Sequence, residues 1–188
     1  MRPGQTVAHH NQMSGRPPRL PEASYRGLAR ISFTICSAGR EKFFADDCRA
    51  RAVLSPLLHT ATEQRIALLA YCVMPDHVHV LTQGLDAEAS ARTFVTRWKH
   101  ATACAAWQGV RGRLWQRSYY DRVLRPWDET LTAVRYIIAN PVRAGLASRI
   151  GEYPFAGSTV YTIDQLTEAI AAGSPERFGP GPTLRGRM

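Results

Sequence analysis

The segment from Ile66 to Thr82 reads Ile-Ala-Leu-Leu-Ala-Tyr-Cys-Val-Met-Pro-Asp-His-Val-His-Val-Leu-Thr, and its punctuation decides the fold. Ile66 to Met74 is a near-continuous apolar run, which suits a buried strand. Pro75-Asp76 interrupts it as a turn, and from His77 to Thr82 apolar and polar residues alternate. The two runs therefore read as the strands of a hairpin. Working outward, Ala29 to Cys36 alternates in the same way and predicts a half-buried strand. Asp46 or Asp47 can cap a helix through Leu54 or beyond, with Ala50, Val53, Leu54 and Leu57 on one face. After the hairpin, Asp86 is expected to start a long helix to about Trp107, and Ser118 to Leu124 a fourth strand. Pro126-Trp127-Asp128 leads into a last helix that Pro141 is expected to end near Asn140. Strand, helix, hairpin, helix, strand is the α+β, ferredoxin-like split βαβ order (β-α-β-β-α-β) with an antiparallel sheet, here with an additional C-terminal helix. That architecture hosts many functions, so the site must carry the functional argument.

The 188 residues are 45% hydrophobic and 21% charged, enough apolar material for one domain with a real core and too much for a disordered chain. Residues 1–24 read as a flexible, proline-spotted N-terminal arm, 25–161 as the folded domain, and 162–188 as a C-terminal helix and largely flexible Gly/Pro tail. The apolar run at Ile66 is far shorter than the ~20 residues that span a bilayer. No apolar signal core is visible before Tyr25. The four cysteines, Cys36, Cys48, Cys72 and Cys104, form no Cys-x-x-Cys pair and read as small apolar fillers in a reducing compartment. A cytoplasmic protein, with no membrane partner, is expected.

Charge is more informative. Lys+Arg 24 against Asp+Glu 15 leaves +9, and all but Lys42 and Lys99 of the basic residues are arginine, whose planar fork suits phosphate oxygens. Between Arg92 and Arg125 stand eight basic residues (Arg92, Arg97, Lys99, Arg111, Arg113, Arg117, Arg122, Arg125) against one acid, Asp121. Trp98, Trp107, Trp115, Tyr119 and Tyr120 are interleaved with them. Charge for a phosphate backbone and rings for unpaired bases are the two requirements of a single-stranded nucleic-acid surface. Arg97, Lys99, Arg111, Arg113, Arg117, Arg122, Arg125 and Trp115 are the candidate nucleic-acid-binding residues. Base composition favouring arginine codons is the competing explanation.

His77-Val78-His79 is the sharpest local feature. Residues two apart on a strand project from one face, so the two imidazoles emerge together while Val78 packs behind. That is the start of a metal site or, more plainly, a hydrogen-bonded pair on a sheet edge; two ligands alone do not hold an ion. On the last helix, at ~100° per residue, Leu131, Val134 and Ile138 form an apolar stripe, and Tyr136 and Asn140 fall together on the opposite side, one turn apart. They read either as a nucleophile with an amide donor or as a packed ring with a helix-end cap.

Three segments then carry a resemblance. Tyr71-Cys72-Val73-Met74-Pro75-Asp76-His77-Val78-His79 resembles the His–hydrophobic–His segment of single-tyrosine HUH transposases. Arg135-Tyr136-Ile137-Ile138-Ala139-Asn140-Pro141-Val142-Arg143-Ala144-Gly145-Leu146 resembles the nucleophile helix of their branch of REP-associated tyrosine transposases. Leu114 to Arg125 (Leu-Trp-Gln-Arg-Ser-Tyr-Tyr-Asp-Arg-Val-Leu-Arg) is similar to that branch's fourth strand and its approach. The resemblance spans about Tyr25 to Tyr161. It implies that His77, His79 and Asn140 are ligands of Mg²⁺ or Mn²⁺ and that Tyr136 is the nucleophile. The implied substrate is single-stranded DNA with hairpin structure, cut and rejoined through a 5′-phosphotyrosine by a transposase. It also implies a monomer or homodimer, cytoplasmic and nucleoid-associated when bound to DNA. Tyr119 and Tyr120 are rival nucleophiles without an amide partner. No general base is evident, and Asp76 reads as a turn residue.

Two other classes compete. A rolling-circle nickase or relaxase would use the same chemistry but is commonly longer. A non-catalytic ferredoxin-like nucleic-acid-binding protein would rely on sheet aromatics such as Phe33, and it gives no reason for His77, His79, Tyr136 and Asn140 to coincide.

Overall fold

A computed structural model describes residues 21–105, 112–124 and 127–172 of the chain. The expected hairpin is there with its predicted punctuation: β2 (Ile66–Met74) and β3 (His77–Gly84) flank the turn at Pro75-Asp76. They pair antiparallel with Met74 opposite His77 and Cys72 opposite His79. The other predicted strands are β1 (Arg30–Cys36) and β4 (Tyr120–Leu124), and a short β5 (Ala156–Gly157) adds itself to β2. The order across the sheet is β4-β1-β3-β2-β5 with antiparallel neighbours throughout. The first four strands thus stand in the ferredoxin-like arrangement.

Alternation along β1 and β3 divides the sheet. Ile31, Phe33 and Ile35 with Val78 and Val80 turn to one face and are fully buried. They pack with Leu68 and Val73 of β2 under α1 (Asp47–Glu63) and α2 (Ala91–Ala105), where Ala50, Val53, Leu57, Phe94, Val95 and Trp98 complete the core. Full burial of each large side chain contributes roughly 1.5–3 kcal/mol. The other face carries Ala67, Leu69, Cys72 and Leu81 against α3 (Trp127–Arg143) and α4 (Ile163–Ala172). A register shift between Leu68 and Ala70 places Leu69 and Ala70 together in this second cluster.

The predicted helices form with two corrections. Asp46 caps α1, accepting from the Arg49 amide at 3.0 Å. Asp86 does not start the second helix: it accepts from the amides of Glu88 and Ala89 in a turn. The helix begins at Ala91 after Ser90, whose hydroxyl accepts from the Thr93 amide; the expected end near Trp107 lies outside the described residues. Pro141 does not end the last helix near Asn140; it lies inside α3. The chain turns only at Gly145, with φ +70°, where Leu146 N–H donates to the Pro141 carbonyl and Gly145 N–H to that of Val142. This glycine-dependent cap uses proline's acceptor and needs nothing from its missing donor. Of the cysteine fillers, Cys36 and Cys72 are buried but Cys48 is exposed. Residues 1–20 and 173–188 of the expected arm and tail are outside the description. No helix among the described residues is long and apolar enough to cross a membrane.

Candidate active site

The sheet face under α3 is apolar along β2 and turns polar toward β1 and β4, and the predicted histidines sit at that transition. The pairing register sets Tyr120 of β4, Thr34 of β1 and His79 of β3 in one row, so their side chains share a face. His79 is buried at 6% exposure, and its Nδ1 lies 2.9 Å from Thr34 Oγ1. Its Nε2 lies 2.9 Å from Nε2 of His77, with the two rings perpendicular. His77 Nδ1 in turn meets Asp76 Oδ1 at 2.6 Å, and Asp76 Oδ2 accepts from Arg40 at 3.2 Å. Burial, reinforced by the charge of His77 and Arg40, pushes His79 down to about 3, so its ring is neutral at physiological pH. Burial pushes the Asp76 carboxyl up, but the His77 hydrogen bond and the His77 and Arg40 charges outweigh it and hold the group below its ordinary value.

The last helix delivers Tyr136 to this pair. Val134, Ile137 and Ile138 are buried against the sheet, Arg30 donates to Thr130 at 3.0 Å, and Arg135 donates to the Ile170 carbonyl of α4. So seated, α3 carries Tyr136 on the rim of its buried stripe rather than on the far side expected from the helical wheel. Its ring stands 5.4 Å from that of His79, edge-on, and its 46% exposure leaves it open to a ligand. The Arg143 guanidinium lies over the same ring, 4.9 Å from its centre. Ser32, Thr34, His79, Arg122, Thr132 and Tyr136 border a cleft of about 460 Å³.

Asn140 follows Tyr136 by one helical turn, and its Nδ2 is buried without a hydrogen-bond partner. Among the described residues no three His, Cys, Asp or Glu side chains gather as a metal site. Two imidazoles and the carboxamide of Asn140 would be the donor set. In an octahedral site with ligand bonds of ~2.1 Å, adjacent ligand atoms stand ~3.0 Å apart, and the two Nε2 atoms are spaced for it at 2.9 Å. The residues present fit a divalent cation.

The predicted DNA-binding residues divide. Arg122 borders the cleft beside Tyr136. Arg97, Arg113 and Arg117 are exposed, and Lys99, Arg113 and Arg117 line a second cleft, of about 520 Å³, between α2 and the segment before β4. Lys99 there donates to the Gln116 carbonyl at 2.8 Å. Trp115 is a correction: only 5% exposed, it packs on Phe44 and Trp98 and donates to Thr102, so its ring is core and takes no base. Trp98 is likewise fully buried. Arg111 and Arg125 lie outside the described residues. Phe33 lies under the helices at 0% exposure, which removes the sheet aromatic on which a non-catalytic binding module would rely. Tyr119 packs edge-on against Phe33, whereas Tyr120 is exposed on the site's face. Sequence reasoning missed Thr34, Arg40 and Arg143, and gave Asp76 only its turn. The signal for Thr34 was its place in the alternation of the first strand; Arg143 stands seven residues after Tyr136, two turns along.

A ferredoxin-like sheet here joins a histidine pair to a helix-borne tyrosine beside a cleft bordered by Arg122. The chain belongs to the IS200-like transposase family, whose pattern matches residues 27–140 and so includes His77, His79, Tyr136 and Asn140. It is 24% identical, over 165 residues, to a Haemophilus influenzae protein carried under the name REP-associated tyrosine transposase; the match covers 81% of this chain and 89% of that relative. Its fold is similar to that of a REP-associated tyrosine transposase bound to a REP hairpin. There the TM-score is 0.65 at 16% identity, covering 92% of this chain and 94% of the other.

Proposed function

We propose that this transposase-family protein is a metal-dependent single-stranded DNA endonuclease and strand transferase. It acts beside hairpin DNA of the REP type, the ligand of its structural relative, through a 5′-phosphotyrosine intermediate. The observation that carries the reading is the convergence of the His77 and His79 Nε2 atoms at 2.9 Å with the Tyr136 ring 5.4 Å from His79. Tyr136 Oη attacks the scissile phosphorus: the Oη–P bond forms as the P–O3′ bond breaks. The phenolic proton passes to solvent and the departing 3′-oxygen takes one up. The ester conserves the phosphodiester bond energy, so another 3′-hydroxyl can reverse the step and join strands. Mg²⁺ or Mn²⁺ held by His77, His79 and Asn140 would supply polarisation of the phosphate oxygens. Arg122 supplies fixed positive charge at the cleft, and the exposed Arg97, Arg113 and Arg117, with Lys99, track the backbone. The reading carries with it a DNA-associated, cytoplasmic location.

The test is the covalent adduct. Wild-type protein incubated with a 3′-labelled single strand bearing a hairpin should give a labelled species of protein mass on a denaturing gel. Tyr136→Phe should bind the strand and give none, while Tyr119→Phe and Tyr120→Phe keep it. Loss of the band in Tyr120→Phe with retention in Tyr136→Phe would move the nucleophile to β4, and no band with wild type in Mg²⁺ or Mn²⁺ would overturn the reading.

A further inference from the structure

Alternation along the chain parts two neighbouring tyrosines. Tyr119 packs with the core under α1 and α2, edge-on to Phe33. Tyr120 turns to the opposite face at the start of β4, where it is 60% exposed. Of the Phe, Tyr and Trp side chains described, only Tyr120 and Tyr136 are exposed. β4 is the edge of the sheet, so among the described residues no further strand flanks Tyr120 on its outer side. On its inner side the register sets Tyr120 opposite Thr34, and Thr34 opposite His79. With neighbouring strands ~4.8 Å apart, its backbone stands ~10 Å from that of His79. Thr34, across the ladder, and Arg122, two residues along on the same face, both border the cleft that Tyr136 borders too. Tyr120 is therefore an open ring at the rim of the cleft, within a nucleotide's reach of the point of attack.

We propose that Tyr120 is a stacking platform for the base of a nucleotide bonded to the scissile phosphate. The inference rests on the strand-transferase reading above and adds where the strand beside the break is held. With Tyr136 at the phosphorus, the adjoining base lies on the Tyr120 ring, and Arg122 supplies charge for the phosphate next to it. Every base has a π-face, so such a contact tolerates any sequence, and the larger purines gain most from it. What the contact does select is an unpaired nucleotide: a base inside a duplex has both faces covered by its neighbours. The platform thus gives the protein a reason to cut outside a hairpin stem and not within it. Tyr119 cannot share the task, because its ring is already packed on Phe33. The competing explanation is a ring that merely covers its cross-strand partner Thr34; it predicts no dependence on any base of the substrate.

The experiment uses the full chain with a hairpin-bearing single strand and Mg²⁺ or Mn²⁺, the break being mapped first from the wild-type adduct. Tyr120→Ala should raise the strand concentration that half-saturates single-turnover cleavage about 5- to 150-fold, the loss of one base–ring stack. Tyr120→Phe keeps the ring and should stay within a few-fold of wild type. An abasic residue at one of the two nucleotides flanking the break should weaken wild type as much as the alanine substitution does. The same abasic strand should weaken Tyr120→Ala by no more than a few-fold, because the partner is already gone. A ring with only a structural role would not give that coupling. Should the alanine variant fail to fold, Tyr120→Leu keeps apolar bulk on the strand without a π-face, and the same outcome is expected of it. If Tyr120→Ala cleaves with wild-type half-saturation, or if both abasic strands weaken it as much as they weaken wild type, the platform is overturned while the transferase reading stands. If wild type forms no adduct on any such strand, the transferase reading fails, and the platform fails with it.

Discussion

The two faces of this sheet are made by the same strands, and they do different work. Under α1 and α2 the inward positions Ile31, Phe33 and Ile35 of β1 and Val78 and Val80 of β3 are aliphatic or aromatic, all at 0% exposure, and Thr82 beside them hides its hydroxyl by donating to the Ile31 carbonyl. One residue away in the chain, on the other face, stand Ser32, Thr34, His77 and His79, with Tyr120 and Arg122 beside them on β4. That polar half adjoins an apolar half on β2, where Ala67, Leu69 and Cys72 meet the buried stripe of α3. The helix is therefore anchored by one half of the face and presents Tyr136 to the other. A strand's period of two lets a full core and a reactive surface share four strands.

Removing function from the polar half while sparing the core is the largest effect expected. The double variant His77→Ala/His79→Ala should lose Mg²⁺- or Mn²⁺-dependent cleavage of a hairpin-bearing strand by about a thousandfold or more. Hairpin binding in a gel-shift assay should stay within a few-fold of wild type. Cleavage at wild-type rate would show that the polar half is ordinary surface. The opposite break is Phe33→Ala, which empties a fully buried site stacked with Tyr25 and edge-on to Tyr119. It should cost about 3–5 kcal/mol in urea unfolding, against less than about 1 kcal/mol for the neighbouring Ser32→Ala on the other face. Equal costs would mean that the two faces do not differ in packing. The smallest effect sharpens the comparison within the cleft: Arg122→Gln should lower the log–log salt slope of single-strand binding by about 0.7, one phosphate contact. An unchanged slope would leave Arg122 as solvated edge charge.

Much of this was legible in the chain, for local reasons. The apolar run, Pro75-Asp76 and the alternation after His77 determine a hairpin by side-chain period and backbone restriction alone, and the same period puts both histidines on one face. The stripe expected on α3 holds at Val134 and Ile138, both at 2% exposure, whereas Leu131 is half-buried and Ile137 takes its place in the buried face. The errors came where a local signal met a tertiary one. Pro141 reads as a stop, yet only its own donor is missing, and the helix runs on to a cap that Gly145 closes. Trp115 reads as a base-stacking ring because it is aromatic among arginines; the segment before β4 folds back onto the end of β1, through Gln116 N–H to the Cys36 carbonyl at 2.9 Å, and buries it.

By itself the sequence determined the four main strands and the helices between them in order, the shared face of His77 and His79, and the one-turn spacing of Tyr136 and Asn140. These follow from periods of 2 and 3.6 that act over a few residues. Tertiary structure alone decided that Tyr136 stands beside His79, that Thr34 grips the His79 imidazole, and which of the basic and aromatic residues face a cleft. The two contacts to His79 join residues 45 and more positions apart, through strand register and the seating of one helix, and no local period carries such pairings.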